Sequence, residues 1–278
     1  MEEQQPTAKL GRHFKGFGTK IYPPIWVGTE EAPSMEATFI VVVIDVYKGR
    51  QLLVTRGGYI AVEAEDKLEA LEMINEILAI LFFFTKISVY PAREWNLGEA
   101  EIKGDYKRFG YGVRGPEMSP IAKLTEDKIK EVIRYAEKIM SNDKLKTLTM
   151  LYHEAYTHFV AHEYRQSLLF CWIILEDFYI NDMFQLLITR TAGSQERLKK
   201  LMRWTADQKI EVLSIVRAVS DDEYQQLMEL KESRNKLVHE GKAPSRDTAK
   251  LCLDIAFKVI EQHIKNILSV EGFSNRDF

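Results

Sequence analysis

The segment from Ser220 to Gly241 reads Ser-Asp-Asp-Glu-Tyr-Gln-Gln-Leu-Met-Glu-Leu-Lys-Glu-Ser-Arg-Asn-Lys-Leu-Val-His-Glu-Gly, and both of its ends carry helix-terminating residues. Ser220 followed three residues later by Glu223 is typical of a capping box, in which each side chain accepts a hydrogen bond from the other residue's backbone N–H. Gly241 suits the left-handed residue that ends many helices. The segment therefore predicts one long helix that begins after Ser220 and ends before Gly241.

Three polar residues near the end of this helix, Arg234, Asn235 and His239, have the spacing Arg-Asn-x3-His. Arginine is always charged and binds phosphate through a forked pair of hydrogen bonds. Histidine titrates near neutral pH and can take or return a proton. These residue types suffice for metal-free cleavage of a phosphodiester. The residues alone leave an alternative open, a solvated arginine and a histidine that interacts with the helix dipole.

The spacing of the motif sets a geometric condition on any shared site. In a regular helix the five steps from Arg234 to His239 turn by ~500°, so the two side chains point ~140° apart. Two arrangements would remove this divergence. The last turn frays at Gly241 and frees His239, or two chains related by a two-fold axis bring their motifs together. Both place the site at a helix end near an interface.

Composition bounds the class of protein. The chain has 278 residues, of which 46% are hydrophobic, so we expect a globular protein. Its net charge of −3 is unlike that of a dedicated duplex-DNA binder, which is normally basic. The first residues are polar and acidic, unlike a signal peptide, and the longest apolar run, Ile77–Phe84, is shorter than the ~20 residues that span a bilayer. We expect a soluble, cytoplasmic protein without a membrane partner, in which Cys171 and Cys252 are buried free thiols.

The first part of the chain predicts mixed structure. We expect an extended or partly disordered segment over residues 1–35 and a small α+β domain with its linker over residues 36–120. The predicted elements of that domain are a strand at Thr38–Tyr47, a second strand at Gln51–Glu63 with a bulge at Gly57-Gly58, a helix at Glu65–Phe84 and a short strand at Ile87–Tyr90.

Residues 121–278 predict an all-helical domain, because apolar residues recur at helical spacing throughout. Thr125 caps the first of these helices, and the last one follows Pro244-Ser245. The helices between them are expected at Asp143–Ala161, Tyr164–Ile188, Ser194–Trp204, Ala206–Ala218 and Asp221–Glu240. The fold class predicted for the chain is an α+β N-terminal module followed by an all-α helical bundle.

Residues 121–278 resemble a HEPN domain, and more narrowly the Apea-like HEPN group. The resemblance rests on Arg234-Asn235-x3-His239 followed by Gly241 and a terminal helix, and on the apolar helix Ser167–Tyr179 with its Leu175-Glu176 step. It implies a HEPN-like helical bundle. Many HEPN proteins with Arg-polar-x3-His are metal-independent endoribonucleases that act as dimers. Others do not cut and bind only nucleotides or partners.

The resemblance makes Arg234, Asn235 and His239 the expected catalytic residues. RNA supplies its own nucleophile, the 2′-hydroxyl, so we expect no cofactor and no metal, and DNA should resist. His239 would transfer protons, Arg234 would stabilise charge on the phosphate, and Asn235 would orient either group. Glu176, a charge in an apolar helix, would support the site by pairing with Arg234 or another nearby cation. A solvated glutamate at the helix edge is the alternative.

A second stretch suggests RNA contacts. Residues 103–114 interleave basic and aromatic side chains, which suits single-stranded RNA, although an ordinary interdomain loop has the same composition. The residues expected to stack on bases are Tyr106, Phe109 and Tyr111, and those expected on phosphates are Lys107, Arg108 and Arg114. Glu154, His158 and His162 have the i, i+4, i+8 spacing of a metal-binding stripe. A polar helix face is the preferred interpretation, because no fourth ligand is evident.

The favoured prediction is a homodimeric, metal-independent endoribonuclease of single-stranded RNA, in a toxin or defence setting. The dimer would form through apolar surface on the helix Ser167–Ile188, which carries Trp172, Phe178, Tyr179 and Phe184. The alternatives are a non-catalytic HEPN module that binds nucleotides or protein partners, and a helical scaffold without a ligand. CRISPR-associated HEPN ribonucleases share the motif, but the N-terminal part lacks the strand–helix alternation of their sensor domain.

Overall fold

The computed structural model describes residues 13–28, 37–85, 87–103, 122–191 and 194–270. These ranges contain seven β-strands, β1–β7, and nine α-helices, α1–α9. The chain forms two compact units, Met1–Lys146 and Thr147–Phe278. An N-terminal region with β-structure is thus followed by a helical part, as the sequence predicts.

The first unit contains a five-stranded antiparallel sheet in the order β3-β4-β5-β1-β6. Its strands are β1 (His13–Lys20), β3 (Val41–Tyr47), β4 (Arg50–Thr55), β5 (Tyr59–Glu63) and β6 (Gly98–Lys103). Two short strands, β2 (Ile25–Val27) and β7 (Ala122–Leu124), form a separate parallel pair. Along β4 and β5 the side chains of both faces are buried, which explains their nearly continuous apolar sequences.

Two helices complete the core of this unit. Helix α1 (Lys67–Thr85) packs against β5 and β1, and α2 (Glu126–Met140) packs against α1 and β3. The backbone N–H of Lys128 donates to the Thr125 hydroxyl over 3.1 Å, so the predicted cap of α2 is confirmed. Because α2 packs on α1, the boundary between the compact units lies after Lys146, later than the predicted domain boundary at residue 120.

Several predicted strands of the first unit were wrong. The predicted strand Gln51–Glu63 is two strands, because Arg56-Gly57-Gly58 turns the chain between β4 and β5. Gly58 has a φ of +74°, and a Cβ there would lie 2.7 Å from the Ile25 carbonyl oxygen, so only glycine fits. Residues 87–90 form no strand. The strand beside β1 is β6, which no local pattern indicated, because its partner lies about 80 residues earlier in the chain.

The second unit is helical. Its elements are the remainder of α3 (Asp143–Val160), α4 (Tyr164–Leu175), a π-helical turn (Glu176–Ile180), α5 (Asn181–Thr191), α6 (Gln195–Met202), α7 (Ala206–Ile215), α8 (Asp221–Glu240) and α9 (Arg246–Val270). Helix α4 packs along α9, and α8 contacts α7, α4 and α9. The predicted helix Tyr164–Ile188 is therefore present, but it contains a π-helical turn, a feature often found at functional positions.

Both cysteines lie in the core of this helical unit. Cys171 of α4 and Cys252 of α9 are fully buried free thiols, as predicted. Burial and a hydrogen bond with Cys252 raise the pKa of the Cys171 thiol.

Among the described residues, no helix is both long and apolar enough to cross a membrane.

The apolar side chains that were expected at a dimer surface are largely used inside the unit. Trp172 is 3% exposed and Phe184 is fully buried, so neither can contact a second chain. Their burial results from the packing of α4 and α5 against the other helices, which the periodicity of a single helix does not reveal. The apolar side chains that α4 does expose are Leu169 and Ile173.

Candidate active site on helix α8

Helix α8 carries the Arg-Asn-x3-His motif and is capped at both ends as predicted. The Glu223 backbone N–H donates to the Ser220 hydroxyl over 3.2 Å, and the Ser220 N–H donates to the Glu223 carboxylate over 2.9 Å. At the other end Gly241 has a φ of +69°, and its N–H donates to the Leu237 carbonyl over 3.1 Å. The motif therefore lies in the last two turns of a regular helix.

Arg234 and Asn235 are adjacent, half-buried and joined through their side chains. Nη1 of Arg234 donates a hydrogen bond to Oδ1 of Asn235 over 3.1 Å. Within the described residues, the guanidinium forms no ion pair with a carboxylate. Its positive charge is thus oriented by a neutral amide and is not neutralised, which leaves its other N–H groups able to bind an anion.

His239 lies five residues further on and is exposed. Its imidazole forms no hydrogen bond or ion pair with the part of the chain that the structure describes. Because α8 remains helical through Glu240, Arg234 and His239 point ~140° apart. The idea that the last turn frays was wrong, since Gly241 and Lys242 donate to the carbonyls of Leu237 and Lys236 and hold that turn closed. One chain does not bring the two side chains together.

Glu176 does not pair with Arg234. It begins the π-helical turn, is half-buried, and accepts a hydrogen bond from the indole N–H of Trp172 in the preceding turn. The pKa of Lys209 on α7 is lowered by burial, and the charge of Glu176 partly opposes that shift. The π-helical turn that begins with Glu176 packs against α7, the helix that carries Lys209.

Lys209 is a buried polar residue that the sequence analysis missed. Its Nζ donates to Oδ1 of Asn181 over 2.8 Å, and the residue is only 6% exposed. Burial lowers the pKa of Lys209, and the charges of Glu176 and Asp177 partly oppose this effect. The burial of Lys209 could have been predicted from the sequence. Lys209 lies four residues before the buried Leu213, so both side chains project from the apolar face of α7.

An ion pair fixes α8 against α7 close to the motif. Lys231 of α8 binds the carboxylate of Asp207, which lies in the first turn of α7. Lys231 precedes Arg234 by three residues, so the two side chains project from neighbouring positions on one side of α8. The N-terminal end of α7 is thereby held next to the motif.

The histidines of α3 do not form a ligand stripe. Nδ1 of His158 lies 2.6 Å from the Glu163 carboxylate, and His162 lies beyond the end of α3 with a φ of +62°. The helical spacing that would align Glu154 with both histidines therefore ends before His162. Across the described ranges, no three His, Cys, Asp or Glu side chains are grouped as metal ligands.

The other predicted RNA contacts, Tyr106, Lys107, Arg108, Phe109, Tyr111 and Arg114, lie outside the described residues.

A groove of about 510 Å³ is present in the second unit, and it is lined by residues of the π-helical turn, α5, the first half of α8, and α9. Tyr179, Glu223 and His263 contribute to its wall. It lies toward the N-terminal half of α8 and includes neither Arg234 nor His239.

Comparison of the chain with protein-family models, with curated proteins and with solved structures gave no match in any of the three.

Proposed function

We propose that the chain is a metal-independent endoribonuclease of the HEPN type that cleaves single-stranded RNA as a homodimer. The observation that carries the proposal is the Arg234–Asn235 pair, in which a half-buried guanidinium is oriented by an amide and has no carboxylate partner among the described residues. An oriented, uncompensated cation is suited to stabilise charge that develops on a phosphate during reaction.

The proposed reaction needs only the groups of the motif and of the RNA. The 2′-oxygen attacks the adjacent phosphorus while one imidazole accepts the 2′-hydroxyl proton. The bond from phosphorus to the 5′-oxygen breaks, and a second imidazole donates a proton to that oxygen. The products are a 2′,3′-cyclic phosphate and a 5′-hydroxyl. Arg234 stabilises the additional negative charge on the phosphate oxygens, and Asn235 holds Arg234 in place.

A dimer supplies what one chain lacks. Because Arg234 and His239 diverge by ~140°, Arg234 would act together with His239 of the partner subunit across a two-fold axis. Two motifs also provide the acid and the base of the reaction. Helices α4 and α8 pack against each other. Three of their apolar side chains are exposed and support a dimer surface, namely Leu169, Ile173 and Val238.

The direct test is cleavage of labelled single-stranded RNA in the presence of EDTA. We expect cutting of RNA, a 2′,3′-cyclic phosphate at the new end, and no cutting of DNA, which lacks the 2′-hydroxyl. Arg234→Ala and His239→Ala should each lower the rate at least about 100-fold. His239 is exposed, so His239→Ala should change stability by no more than about 1 kcal/mol. Full activity of the His239→Ala protein would refute the assignment.

Mixing the two inactive variants tests the composite site. A heterodimer of Arg234→Ala and His239→Ala chains contains one Arg234 and one His239 on different subunits, so a site built across the axis regains part of its activity. If each chain carried its own complete site, every site in the mixture would lack one of the two residues. Activity regained on mixing would therefore support the trans arrangement, and it would show that one imidazole suffices for part of the rate.

The second candidate is a non-catalytic HEPN module that binds nucleotides or protein partners. The divergence of Arg234 and His239 within one chain favours it, because a monomer then presents a cation without an adjacent proton-transfer group. Sedimentation at micromolar concentration discriminates between the two functions. A monomer that binds RNA without cutting it would support the binding module.

A further inference from the structure

The segment from Thr189 to Thr205 concentrates positive charge in a chain that is acidic overall. It holds five basic residues and one acidic residue, Glu196, whereas the whole chain has a net charge of −3. The middle of the segment is helix α6, a short helix between α5 and α7. We name its five basic residues the α6 ridge: Arg190, Arg197, Lys199, Lys200 and Arg203.

The cations of the α6 ridge are exposed and are not neutralised by the protein. None of their five side chains forms an ion pair or hydrogen bond with another described residue. Two other exposed lysines of this unit differ, because Lys242 and Lys250 bind Glu240 and Asp254 over 2.6 and 2.5 Å. Like charges held together without counter-charges repel one another, which favours binding of a polyanion.

Helix stability explains only part of this charge. Lys199 and Lys200 lie in the last turn of α6, where cations interact favourably with the helix dipole. Arg197 lies in the first turn, where that interaction is unfavourable, and Arg190 lies on α5. The dipole therefore does not account for the ridge as a whole.

The apolar side of α6 is already occupied. Leu198, Leu201 and Met202 are half-buried, and α6 packs against α5. The ring of Trp204, just beyond the helix, lies 5.9 Å from that of Phe184. A helix that enters a membrane surface needs an exposed apolar face, and α6 offers solvent mainly its charged one. This arrangement favours a nucleic-acid backbone over a lipid surface.

The α6 ridge comes directly before α7 in the chain, and α7 is bound to the helix that carries the motif. Arg203 lies four residues before Asp207, and Asp207 binds Lys231, which lies one helical turn before Arg234. The ion pair thus holds the start of α7, four residues after Arg203, against α8 one turn from Arg234.

We infer that the α6 ridge binds the phosphate backbone of single-stranded RNA and guides the strand to Arg234. That the polyanion is RNA rests on the proposed nuclease function. The exposure of the ridge, its lack of counter-charges and its position directly before α7 do not depend on that function. Because the contacts are to phosphates, binding is sequence-tolerant and strongly dependent on salt.

The test uses the full chain and a labelled 2′-O-methyl oligouridylate, which lacks the free nucleophile and so is not cut. Affinity is measured by fluorescence anisotropy between about 50 and 200 mM salt. We expect the triple variant Lys199→Gln, Lys200→Gln, Arg203→Gln to bind about tenfold or more weakly. The magnitude of the slope of log affinity against log salt should fall by about 2, because each of the three lost phosphate contacts contributes ~0.7.

A matched variant removes the same charge elsewhere in the unit. Lys242→Gln, Lys250→Gln, Lys265→Gln neutralises three lysines that pair with carboxylates, and it should stay within about twofold of wild type. Lys199→Arg, Lys200→Arg keeps the charge and should keep the affinity. The substituted side chains of the ridge are exposed and glutamine is a good helix former, so thermal unfolding should be unchanged.

Three results would overturn the inference. The two triple variants could weaken oligonucleotide binding equally, or the ridge variant could keep the wild-type affinity. In the third, the ridge variant loses binding to phosphatidylserine vesicles that the wild type binds, while it still binds the oligonucleotide. The ridge and the nuclease function can fail separately. Ridge-dependent binding without cleavage in the EDTA assay would refute only the nuclease. Cleavage with ridge-independent binding would refute only the α6 ridge.

Discussion

Nη1 of Arg234 donates to Oδ1 of Asn235 over 3.1 Å, and no described carboxylate competes for the guanidinium. A neutral acceptor orients the cation without cancelling its charge. This distinguishes Arg234 from Lys231 one turn earlier, whose charge is neutralised by Asp207. The proposed chemistry depends on that difference, because only an uncompensated cation attracts a phosphate strongly.

Replacing the amide of Asn235 with a carboxylate tests this dependence. In Asn235→Asp the new carboxylate would pair with Arg234 and compete with phosphate, so RNA cleavage should fall at least about tenfold. Asn235→Ala removes the orienting bond but leaves the charge and should retain more activity. Cleavage rates under EDTA, with unfolding curves as a control, give the comparison. Asn235→Asp as active as wild type would contradict the role assigned to the pair.

The C-terminal cap of α8 should be sensitive to a single methyl group. Gly241 has a φ of +69° with open space around it, so Gly241→Ala costs backbone strain alone, about 1–2 kcal/mol. Gly241→Asn should cost less, because asparagine tolerates this conformation. Urea unfolding of the two variants measures the difference. Equal stabilities of wild type and Gly241→Ala would mean that this turn is not closed as described.

The buried carboxylate of Glu76 should be important for the stability of the first unit. It is fully buried, accepts a hydrogen bond from the Tyr47 hydroxyl over 2.7 Å, and pairs with Lys48 and Lys146 over 2.7 and 2.8 Å. Glu76→Ala leaves the buried Tyr47 hydroxyl without its acceptor and removes one carboxylate from Lys48 and Lys146, so we expect a loss of about 1–3 kcal/mol in the free energy of unfolding.

Glu72 provides the matched control for this substitution. It binds the same Lys146, but its side chain is 60% exposed, so Glu72→Ala should cost less than about 1 kcal/mol. Urea unfolding followed by circular dichroism measures both variants. Similar costs for the two alanine variants would show that burial does not determine the contribution of this carboxylate.

The N-terminal cap of α8 predicts a dependence of stability on pH. The backbone N–H of Ser220 donates to Glu223 and lowers the pKa of that carboxyl. A group whose pKa is lower in the folded state contributes stability above its unfolded-state pKa, about 4.3 for glutamate, and loses it as the pH falls through the folded-state pKa.

Glu223→Gln should therefore be less stable than wild type near pH 7 and approach it in acid. The glutamine can still accept the Ser220 bond, so the comparison isolates the charge. Glu229→Gln, at an exposed position of the same helix, should keep the wild-type dependence on pH. Unfolding free energies measured from pH 7 to about pH 3 test this, and a constant difference between Glu223→Gln and wild type would contradict it.

Local interactions made α8 predictable. Ser220, Glu223 and Gly241 act on backbone groups only a few residues away, so sequence spacing alone predicted both ends of the helix. The same regularity predicted the divergence of Arg234 and His239. In contrast, β6 pairs with β1 across most of the first unit, and no local pattern contained that pairing.

The candidate site likewise combines features set by local sequence with features set by tertiary packing. By itself, the sequence determined which residues of α8 carry the chemistry and how far around the helix they are separated, because helical rise and twist depend only on neighbouring residues. The tertiary structure alone decided that Lys209 binds Asn181, that Asp207 holds Lys231, and that Trp172 is buried. These contacts join separate helices, and they depend on how the apolar faces pack together, which no single helix specifies.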